Sequence, residues 1–252
     1  MPDVRAVADY ALRLGDDALV LGQRLSELCG SGPMLETDLG VANIALDLMG
    51  QATHFLGHAA ELRASGEDAD RLAFHRDVLD FTNCLIVEQP NGDFAQTIAR
   101  QMLFSNWQEL LLAGLAGSSD RVLAAVAAKA VKEVAYHARF AAEWTVRLGD
   151  GTAESHARMS SGLDWMWRFV DELFEDDALD LELVAAGLAP SRAALRPAWE
   201  ARIGPVLSEA GLERPADRRA ITGGRAGRHS EHLGHMLSEM QFLQRAYPDA
   251  VW

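Results

Sequence analysis

The sequence predicts an all-α protein in which a four-helix bundle is followed by further helices. Hydrophobic residues make up 49% of its 252 residues, aromatic residues make up only 7%, and runs of Val, Ile or Thr are few. This composition favours helix over strand. Apolar residues also recur at alternating spacings of three and four, which places them on one face of a helix. Because a chain of this length can still form one hydrophobic core, we predict a single domain spanning residues 1–252.

The first two bundle helices are predicted at about 4–29 and 36–64. The apolar stripe of the first consists of Val7, Ala11, Leu14, Ala18, Leu21, Leu25 and Leu28. The stripe of the second consists of Ala45, Leu48, Met49, Ala52, Phe55, Leu56, Ala59 and Leu62. The glycine-containing segments CGSGP and ASGED follow these stripes, so we expect each helix to end there.

The other two bundle helices are predicted at about 93–116 and 119–148. Pro90, Asn91 and Gly92 form a turn signal before them, and Asp93 is placed to cap the third helix. Four long helices with one longer connection are typical of a four-helix bundle. Appended helices are predicted over 153–246, at about 153–176, 191–203, 206–212 and 230–246. The acidic run from Asp171 to Glu182 is expected to be a solvated edge.

The overall charge limits the partners of the protein. Its formal net charge of −14 repels phosphate backbones and anionic lipid headgroups, so general affinity for nucleic acid or a membrane surface is not expected. No window approaches ~18 uninterrupted apolar residues, and the N-terminal segment lacks the features of a secretory signal. The two cysteines, Cys29 and Cys84, give no disulfide framework, which fits a reducing cytoplasm.

Two polar residues interrupt the apolar face of the helix predicted at 119–148. Glu133 and His137 lie in the middle of the side formed by Val126, Ala130, Ala141, Trp144 and Leu148. A buried carboxylate costs several kcal/mol unless it is paired, hydrogen-bonded or bound to a metal. Two interpretations follow: a mutual hydrogen bond supported by a neighbouring helix, or a pair of metal ligands.

Other helices carry similar polar residues. Glu109 shares a face with apolar residues of the third helix, where it either points inward or reaches solvent from the edge. On the second helix an arc that is either solvent-facing or inward contains Asn43, Asp47, Gln51, His54 and His58. Inward carboxylates and histidines in a bundle suggest a di-iron or di-manganese site, which uses two Glu residues and two Glu-x-x-His motifs.

The ligand set of such a site is incomplete in this sequence. Tyr136 stands three residues after Glu133, where the histidine belongs, and His137 falls one position later. Gly50 stands three residues after Asp47, and glycine offers no side-chain ligand. We therefore predict a degenerate metal-site cluster, stabilised by mutual pairing or by a cation such as Arg100 and formed by Asp47, Glu109, Glu133 and His137.

A local basic segment precedes the last helix. Its arginines are Arg214, Arg218, Arg219, Arg225 and Arg228. Three glycines, Gly223, Gly224 and Gly227, lead to Ser230 at a predicted helix N-cap. Such a loop either cradles a phosphate or docks onto an acidic partner surface, so Arg225, Arg228 and Ser230 are candidate contacts.

Several segments together resemble one family. They include YALRLGDDALVLGQRLSELCG, DLGVANIALDLMGQA, LIVEQPNGDFAQTIARQ, KAVKEVAYHARF and ITGGRAGRHSEHLGHMLSEMQ. They are similar, in the same order, to the family of C subunits of bacterial 1,2-phenylacetyl-CoA epoxidases. The resemblance covers nearly the whole chain.

The resemblance implies a ferritin-like bundle that lacks the di-iron centre. It implies that a related catalytic bundle, the A subunit, holds two irons and epoxidises the aromatic ring of phenylacetyl-CoA. It also implies that a reductase subunit supplies electrons from NADPH. It further implies that the C subunit pairs with this catalytic subunit as a structural component without a cofactor. On this basis we expect a homo-oligomer when the chain is isolated and regard coenzyme A phosphates as the candidate ligand of the basic loop.

An alternative is that this chain itself carries the catalytic metal site. It is a self-sufficient di-metal oxygenase or oxidase whose ligands would be Asp47, His54, Glu109, Glu133 and His137.

Overall fold

The computed structural model describes residues 3–216, 219–248 and 250, and within these ranges it contains helices but no β-strand. The predicted all-α class is therefore confirmed. The α-helices are α1 (Val4–Ser26), α2 (Leu35–Arg63), α3 (Ala69–Phe74), α4 (Leu85–Glu88), α5 (Phe94–Leu115), α6 (Arg121–Gly149), α7 (Ala153–Trp167), α8 (Ala178–Ala185), α9 (Arg196–Glu209), α10 (Glu231–Met240) and α11 (Phe242–Ala246).

The chain separates into two compact units. Unit 1 consists of Met1–Gln89 with Gly223–Trp252, and unit 2 consists of Pro90–Thr222. The four longest predicted helices are all present, two in each unit, with ends within three residues of the expected positions. The expectation of a single domain stays a prediction.

Unit 1 is built on the hairpin of α1 and α2. A Cβ atom on Gly15 would lie 2.6 Å from Cδ2 of Leu56, and one on Gly22 would lie 3.4 Å from the carbonyl oxygen of Ala45. The two helices are therefore antiparallel and approach closely at these glycines. Asp38 joins their ends by accepting hydrogen bonds from the backbone N–H groups of Gly30 and Gly32.

The shorter helices of unit 1 are attached through buried polar side chains. Arg24 of α1 donates from Nε to the carbonyl of Glu88 at 3.0 Å and from Nη2 to the carbonyl of His232 at 2.7 Å. The amide of Gln241, at the break between α10 and α11, donates to the carbonyls of Ala73 and Arg76. Backbone carbonyls at the C-terminal ends of α3 and α4, and the carbonyl of His232 in the first turn of α10, therefore accept hydrogen bonds within the unit.

Unit 2 contains the hairpin of α5 and α6, with α7 and α9 packed against it. Gly162 allows α7 to approach α5, because a Cβ atom there would lie 2.9 Å from the Cα atom of Gln96. The buried indole of Trp199 on α9 donates to the carbonyl of Leu103 on α5 at 3.0 Å. These contacts attach α7 and α9 to α5, and Gly149 of α6 lies close to the backbone of Ala210 directly after α9.

Three predictions for the appended helices were wrong. The helix expected at 153–176 ends at Trp167 and is followed by a 3₁₀ turn at Asp171–Phe174. The helices expected at 191–203 and 206–212 are one helix, α9, with Pro205 in its interior. The last predicted helix, 230–246, is divided at Gln241.

The acidic run from Asp171 to Glu182 is not simply a solvated edge. Glu172 and Asp180 within it are buried. Arg192, also buried, forms an ion pair with Asp180 and lies 4.0 Å from Asp176. A cation that follows ten residues later in the sequence thus allows part of the run to enter the core.

The described helices include none that is long and apolar enough to cross a membrane.

Candidate functional site

Glu109 lies on α5 of unit 2 and is half-buried, with 22% of its side chain exposed. Its Oε2 accepts a hydrogen bond from Nη1 of Arg202 on α9 at 2.8 Å. The carboxylate therefore points neither fully into the core nor freely into solvent. Its negative charge is compensated by a guanidinium from another helix of the same unit.

Glu133 and His137 lie on successive turns of α6. His137 is fully buried, whereas Glu133 retains 23% exposure of its side chain and lies 3.7 Å from Nζ of Lys129. Lys129 itself is largely exposed, so this ion pair belongs to the solvent-facing edge of the helix. The two residues thus share one helix but differ in burial.

The fourth residue of the predicted cluster, Asp47, and the suggested cation, Arg100, lie elsewhere. Asp47 is half-buried on α2 and belongs to unit 1. Arg100, the suggested cation, is fully buried on α5, where its Nη2 donates to Oδ1 of Asn91. The degenerate cluster of Asp47, Glu109, Glu133 and His137 stays a prediction.

The donor set of unit 2 does not fit a di-iron centre. Such a centre needs carboxylates and histidines that converge from several helices. Glu109 instead binds the guanidinium of Arg202, which would repel a metal ion and competes for the carboxylate oxygens, whereas Glu133 lies 3.7 Å from the largely exposed Lys129. Among the residues that the structure describes, no group of three or more His, Cys, Asp or Glu side chains is arranged to hold a metal ion.

Unit 1 contains a buried set of ion pairs that we call the ionic core. Its members are Asp16, Asp17, Arg76, Glu88, Arg225 and His229. Asp16 is fully buried and forms a two-point ion pair with the guanidinium of Arg76. Oδ2 of Asp16 also accepts from the backbone N–H and the hydroxyl of Thr82, at 2.9 and 3.0 Å.

Asp17 forms the second ion pair of the ionic core. Its Oδ1 and Oδ2 accept from Nη1 and Nη2 of Arg225 at 3.0 and 2.6 Å, and Oδ1 also accepts from the backbone N–H of Cys84 at 2.8 Å. Arg225 donates further to the carbonyl of Thr82. A bidentate geometry of this kind is the strongest arrangement for an arginine and a carboxylate.

Glu88 and His229 form the third ion pair. Glu88 is fully buried and its Oε2 accepts from Nδ1 of His229 at 2.8 Å, while Nε2 of His229 donates to the carbonyl of Phe81 at 2.8 Å. Because both ring nitrogens face acceptors, this geometry favours the doubly protonated imidazole. Burial lowers the pKa of His229, but the hydrogen bonds to Glu88 and Phe81 and the charges of Glu88 and Asp16 outweigh it, so the pKa is raised above 6.5.

The basic loop is seated on the ionic core. A Cβ atom on Gly224 would collide with the carbonyl oxygen of Asn83, so only glycine fits there. Gly227 adopts a φ of +72° and lies against the backbone of Leu79. Because the loop lies this close at the two glycines, Arg225 reaches Asp17 and His229 reaches Glu88.

The predicted anion site at this loop is occupied by a carboxylate of the protein itself. The backbone N–H of Ser230 at the start of α10 donates to Oε1 of Glu88 at 2.6 Å, which is the position of an N-terminal anion. The donors of Arg225 are engaged by Asp17 and Thr82, whereas Arg228 is exposed. Arg218 lies outside the described residues. The coenzyme A contact of Arg225, Arg228 and Ser230 stays a prediction.

The ionic core was not found by sequence reasoning. Helix periodicity places Asp16 on the polar side of the first helix and Asp17 at the border of its stripe, yet both are buried. Two adjacent aspartates within a helix that is apolar on both sides of them were the available signal. Their cations come from positions 76 and 225, which helix periodicity does not identify.

A sequence model of the family described as "Phenylacetic acid catabolic protein" matches residues 2–252. The chain belongs to this family. It is also 51% identical over 243 residues to the C subunit of the 1,2-phenylacetyl-CoA epoxidase of Escherichia coli (strain K12), and the match covers 96% of this chain and 98% of that protein. The phenylacetic acid catabolic family has a ferritin-like helical fold, so the predicted fold class is confirmed.

Proposed function

We propose that this chain is a non-catalytic, structural subunit of a phenylacetyl-CoA 1,2-epoxidase. In this proposal it pairs with a related ferritin-like subunit that holds the two irons, has no cofactor of its own, and receives no electrons directly from the reductase. Identity of 51% over nearly the full length of both proteins supports the assignment to the C subunit. Cys29 and Cys84, which are both present as thiols, suit the cytoplasmic location that we include in the proposal.

The observation that carries the non-catalytic role is the pairing of Glu109, one of the predicted ligand carboxylates, with a cation. Glu109 is hydrogen-bonded to Arg202 at 2.8 Å, so a lone pair that a metal would use is taken by a guanidinium that also repels the ion. The pair of Glu133 with the largely exposed Lys129 is weaker, because solvent screens it. The engaged carboxylate of Glu109 favours a scaffold over a self-sufficient di-metal oxygenase.

Metal analysis separates the proposal from its alternative. We expect the purified chain to hold substoichiometric iron and manganese, and to support phenylacetyl-CoA epoxidation only after the di-iron subunit and the reductase are added. Stoichiometric metal that is lost in Glu133→Ala but kept in Glu143→Ala, an exposed residue of the same helix, would support the self-sufficient enzyme instead.

The exposed face of α2 is the surface that we assign to the partner. Leu35, Leu39 and Leu46 are 70%, 54% and 68% exposed, and their spacing of four and seven residues places them on one side of the helix. A Cβ atom at Gly50 or Gly57, further along this side, would meet no atom within 4 Å. We call Leu35, Leu39 and Leu46 the α2 face.

The exposed leucines and the nearby carboxylates both indicate that another protein covers the α2 face. Three large apolar side chains on one helix are an unusual surface for a monomer and are typical of an interaction site. The exposed carboxylates of Glu36 and Glu61 lie on the same helix, so a partner with basic residues around an apolar helix is favoured. In the absence of that partner, we expect the same face to cause self-association.

Substitutions on the α2 face test the pairing. We expect Leu39→Glu combined with Leu46→Glu to abolish co-purification with the catalytic subunit and to reduce self-association of the isolated chain. Leu181→Glu on α8 is a matched control, because Leu181 is 57% exposed but lies in unit 2. Pairing that survives the double substitution would exclude the α2 face as the interface.

A further inference from the structure

The outward side of α6 in unit 2 carries a line of positive charge. Its exposed cations are Arg121, Lys129, Lys132, Arg139 and Arg147. Both lysines of the chain are among them, although the net charge of the chain is −14. Within Arg121–Gly149, all of which the structure describes, Glu143 is the one exposed acid. We call the five cations, together with the exposed Tyr136, the α6 stripe.

The members of the α6 stripe lie on one side of the helix. An α-helix turns by about 100° and rises by about 1.5 Å per residue, so the stripe occupies an arc of about 80° and extends over roughly 39 Å. Ala125 and Ala128 are exposed beside it, and their short side chains allow another helix to come close. The stripe therefore has the shape of a contact with one further α-helix.

The cations of the α6 stripe are not neutralised within the chain. Among the residues that the structure describes, no ion pair is formed by Lys132, Arg139 or Arg147. Lys129 is 66% exposed, and its Nζ lies 3.7 Å from Glu133, which is longer than a hydrogen bond. These ammonium and guanidinium groups can therefore bind carboxylates of another molecule.

Tyr136 gives the α6 stripe an aromatic centre. It is 38% exposed, and its ring centroid lies 6.1 Å from that of Phe140. The guanidinium of Arg139 lies 5.7 Å from the same ring. Tyrosine and arginine are enriched at the centres of protein interfaces, where few residues contribute most of the binding energy. The composition of the stripe thus favours a protein as its neighbour.

The density of charge disfavours a nucleic acid. A DNA duplex carries about one phosphate per 1.7 Å of its axis, which gives more than about 20 phosphates over the length of the α6 stripe. The stripe offers only five cations, and the net charge of −14 repels the phosphates that remain.

The spacing of the cations instead fits an acidic helix. Lys132, Arg139 and Arg147 are seven and eight residues apart, which is about two helical turns. A neighbouring helix has the same rise per residue, so it meets these cations if it carries a carboxylate about every two turns. Charge complementarity of this kind determines which partner binds and in which register.

We propose that the α6 stripe binds the acidic side of an α-helix of another protein, on which carboxylates recur about every two turns. Two copies of this chain cannot pair through the stripe by two-fold symmetry, because their cations would face each other. The proposal depends only on α6. It is independent of the non-catalytic role and of the α2 face, for which a basic partner is expected.

Two synthetic helical peptides of identical composition test the proposal by fluorescence anisotropy with the full chain. In one peptide the glutamates recur every seven residues on one side of the helix, and in the other they are distributed around it. The one-sided peptide is expected to bind saturably and at least about tenfold more tightly than the other. Equal binding of the two, no saturable binding of the one-sided peptide, or tighter binding of a DNA duplex of equal length would overturn the proposal.

Charge reversals locate the binding to the α6 stripe. Lys132→Glu combined with Arg139→Glu is expected to weaken binding of the one-sided peptide at least about tenfold. Arg5→Glu combined with Arg71→Glu is the control, because these exposed residues of α1 and α3 change the net charge equally and should alter binding by less than about twofold. Equal weakening in both double variants would show that the peptide responds to net charge alone.

Sedimentation velocity with the same variants tests the remaining occupant, a second copy of this chain. Self-association of the isolated chain is expected to be the same in the α6 variant and in the control. Loss of self-association in the α6 variant alone would overturn the proposal, because another copy would then cover the stripe. Thermal unfolding followed by circular dichroism verifies that each variant is folded.

Discussion

Two sets of carboxylates, one in the ionic core of unit 1 and one formed by Glu109 and Glu133 in unit 2, meet their cations in different surroundings. In the ionic core of unit 1, Asp16, Asp17 and Glu88 are buried and each accepts at least three hydrogen bonds. In unit 2, Glu109 and Glu133 are half-buried and each faces a cation that is itself partly or largely exposed.

This difference determines what each set contributes. A buried ion pair is costly to form, and it becomes strongly destabilising when one partner is removed, because the remaining charge cannot reach water. A half-exposed pair loses little, since solvent screens the charge that remains. The ionic core therefore defines how the basic loop and α10 attach to α1, whereas the pairs of Glu109 and Glu133 contribute little to stability.

The largest effect is expected from Arg225→Met, which leaves the carboxylate of Asp17 buried without its guanidinium. The free energy of unfolding, measured by chemical denaturation, should fall by about 3–5 kcal/mol. Arg228→Met is the control, because this arginine of the same loop is exposed and should change stability by less than about 0.5 kcal/mol. Equal losses for the two arginines would show that the ionic core does not determine stability.

A smaller loss is expected from Gly224→Ala, because the added Cβ collides with the carbonyl of Asn83. The loop must then move away from its carboxylates, which should cost about 1–3 kcal/mol in thermal or chemical unfolding. Gly234→Ala in α10 has open space at its Cβ and should instead stabilise by up to about 1 kcal/mol. A stabilised Gly224→Ala variant would contradict the close seating of the loop.

The stability of the protein should also depend on pH through His229. Its pKa is raised in the folded state, so its contribution is complete below the unfolded value of about 6.5 and is lost as pH rises through the folded pKa. Urea denaturation at several pH values above about 6.5 should show stability falling more steeply in the wild type than in His229→Gln. Identical slopes would show that the imidazole does not carry the charge inferred from its hydrogen bonds.

The smallest effect is expected in unit 2. Arg202→Leu removes the partner of Glu109, whose side chain is 22% exposed, and should cost no more than about 1 kcal/mol. The effect should diminish further at high salt, where exposed charges are screened. A loss comparable to that of Arg225→Met would remove the distinction between the ionic core and the half-exposed pairs.

The long helices could be predicted from the sequence because their signals are local. Apolar stripes indicated the lengths of α1, α2, α5 and α6, and Asp93 caps α5 by accepting from the backbone N–H of Gln96. The C-terminal helices were predicted less well: two helices were expected at 191–203 and 206–212, but α9 continues through Pro205 as one helix. Packing of Trp199 against α5 stabilises α9 around that proline.

The polar contacts could be predicted only in part. Helix periodicity indicated that His137 interrupts an apolar face, and this residue is fully buried. Periodicity does not show that Arg202 pairs with Glu109 across 93 positions, or that Arg225 reaches Asp17 across 208. Pairing across such separations depends on tertiary packing, which a single sequence does not show.

The separation of 208 positions between Asp17 and Arg225 also has a consequence for biosynthesis. At translation rates of about 5–20 residues per second, a ribosome needs roughly 10–40 s to travel from one codon to the other. Throughout that interval the aspartate has no guanidinium, although the contiguous stretch Pro90–Thr222 is synthesised within it. The first helices of the nascent polypeptide therefore acquire this salt bridge only after the whole sequence of unit 2 has been translated.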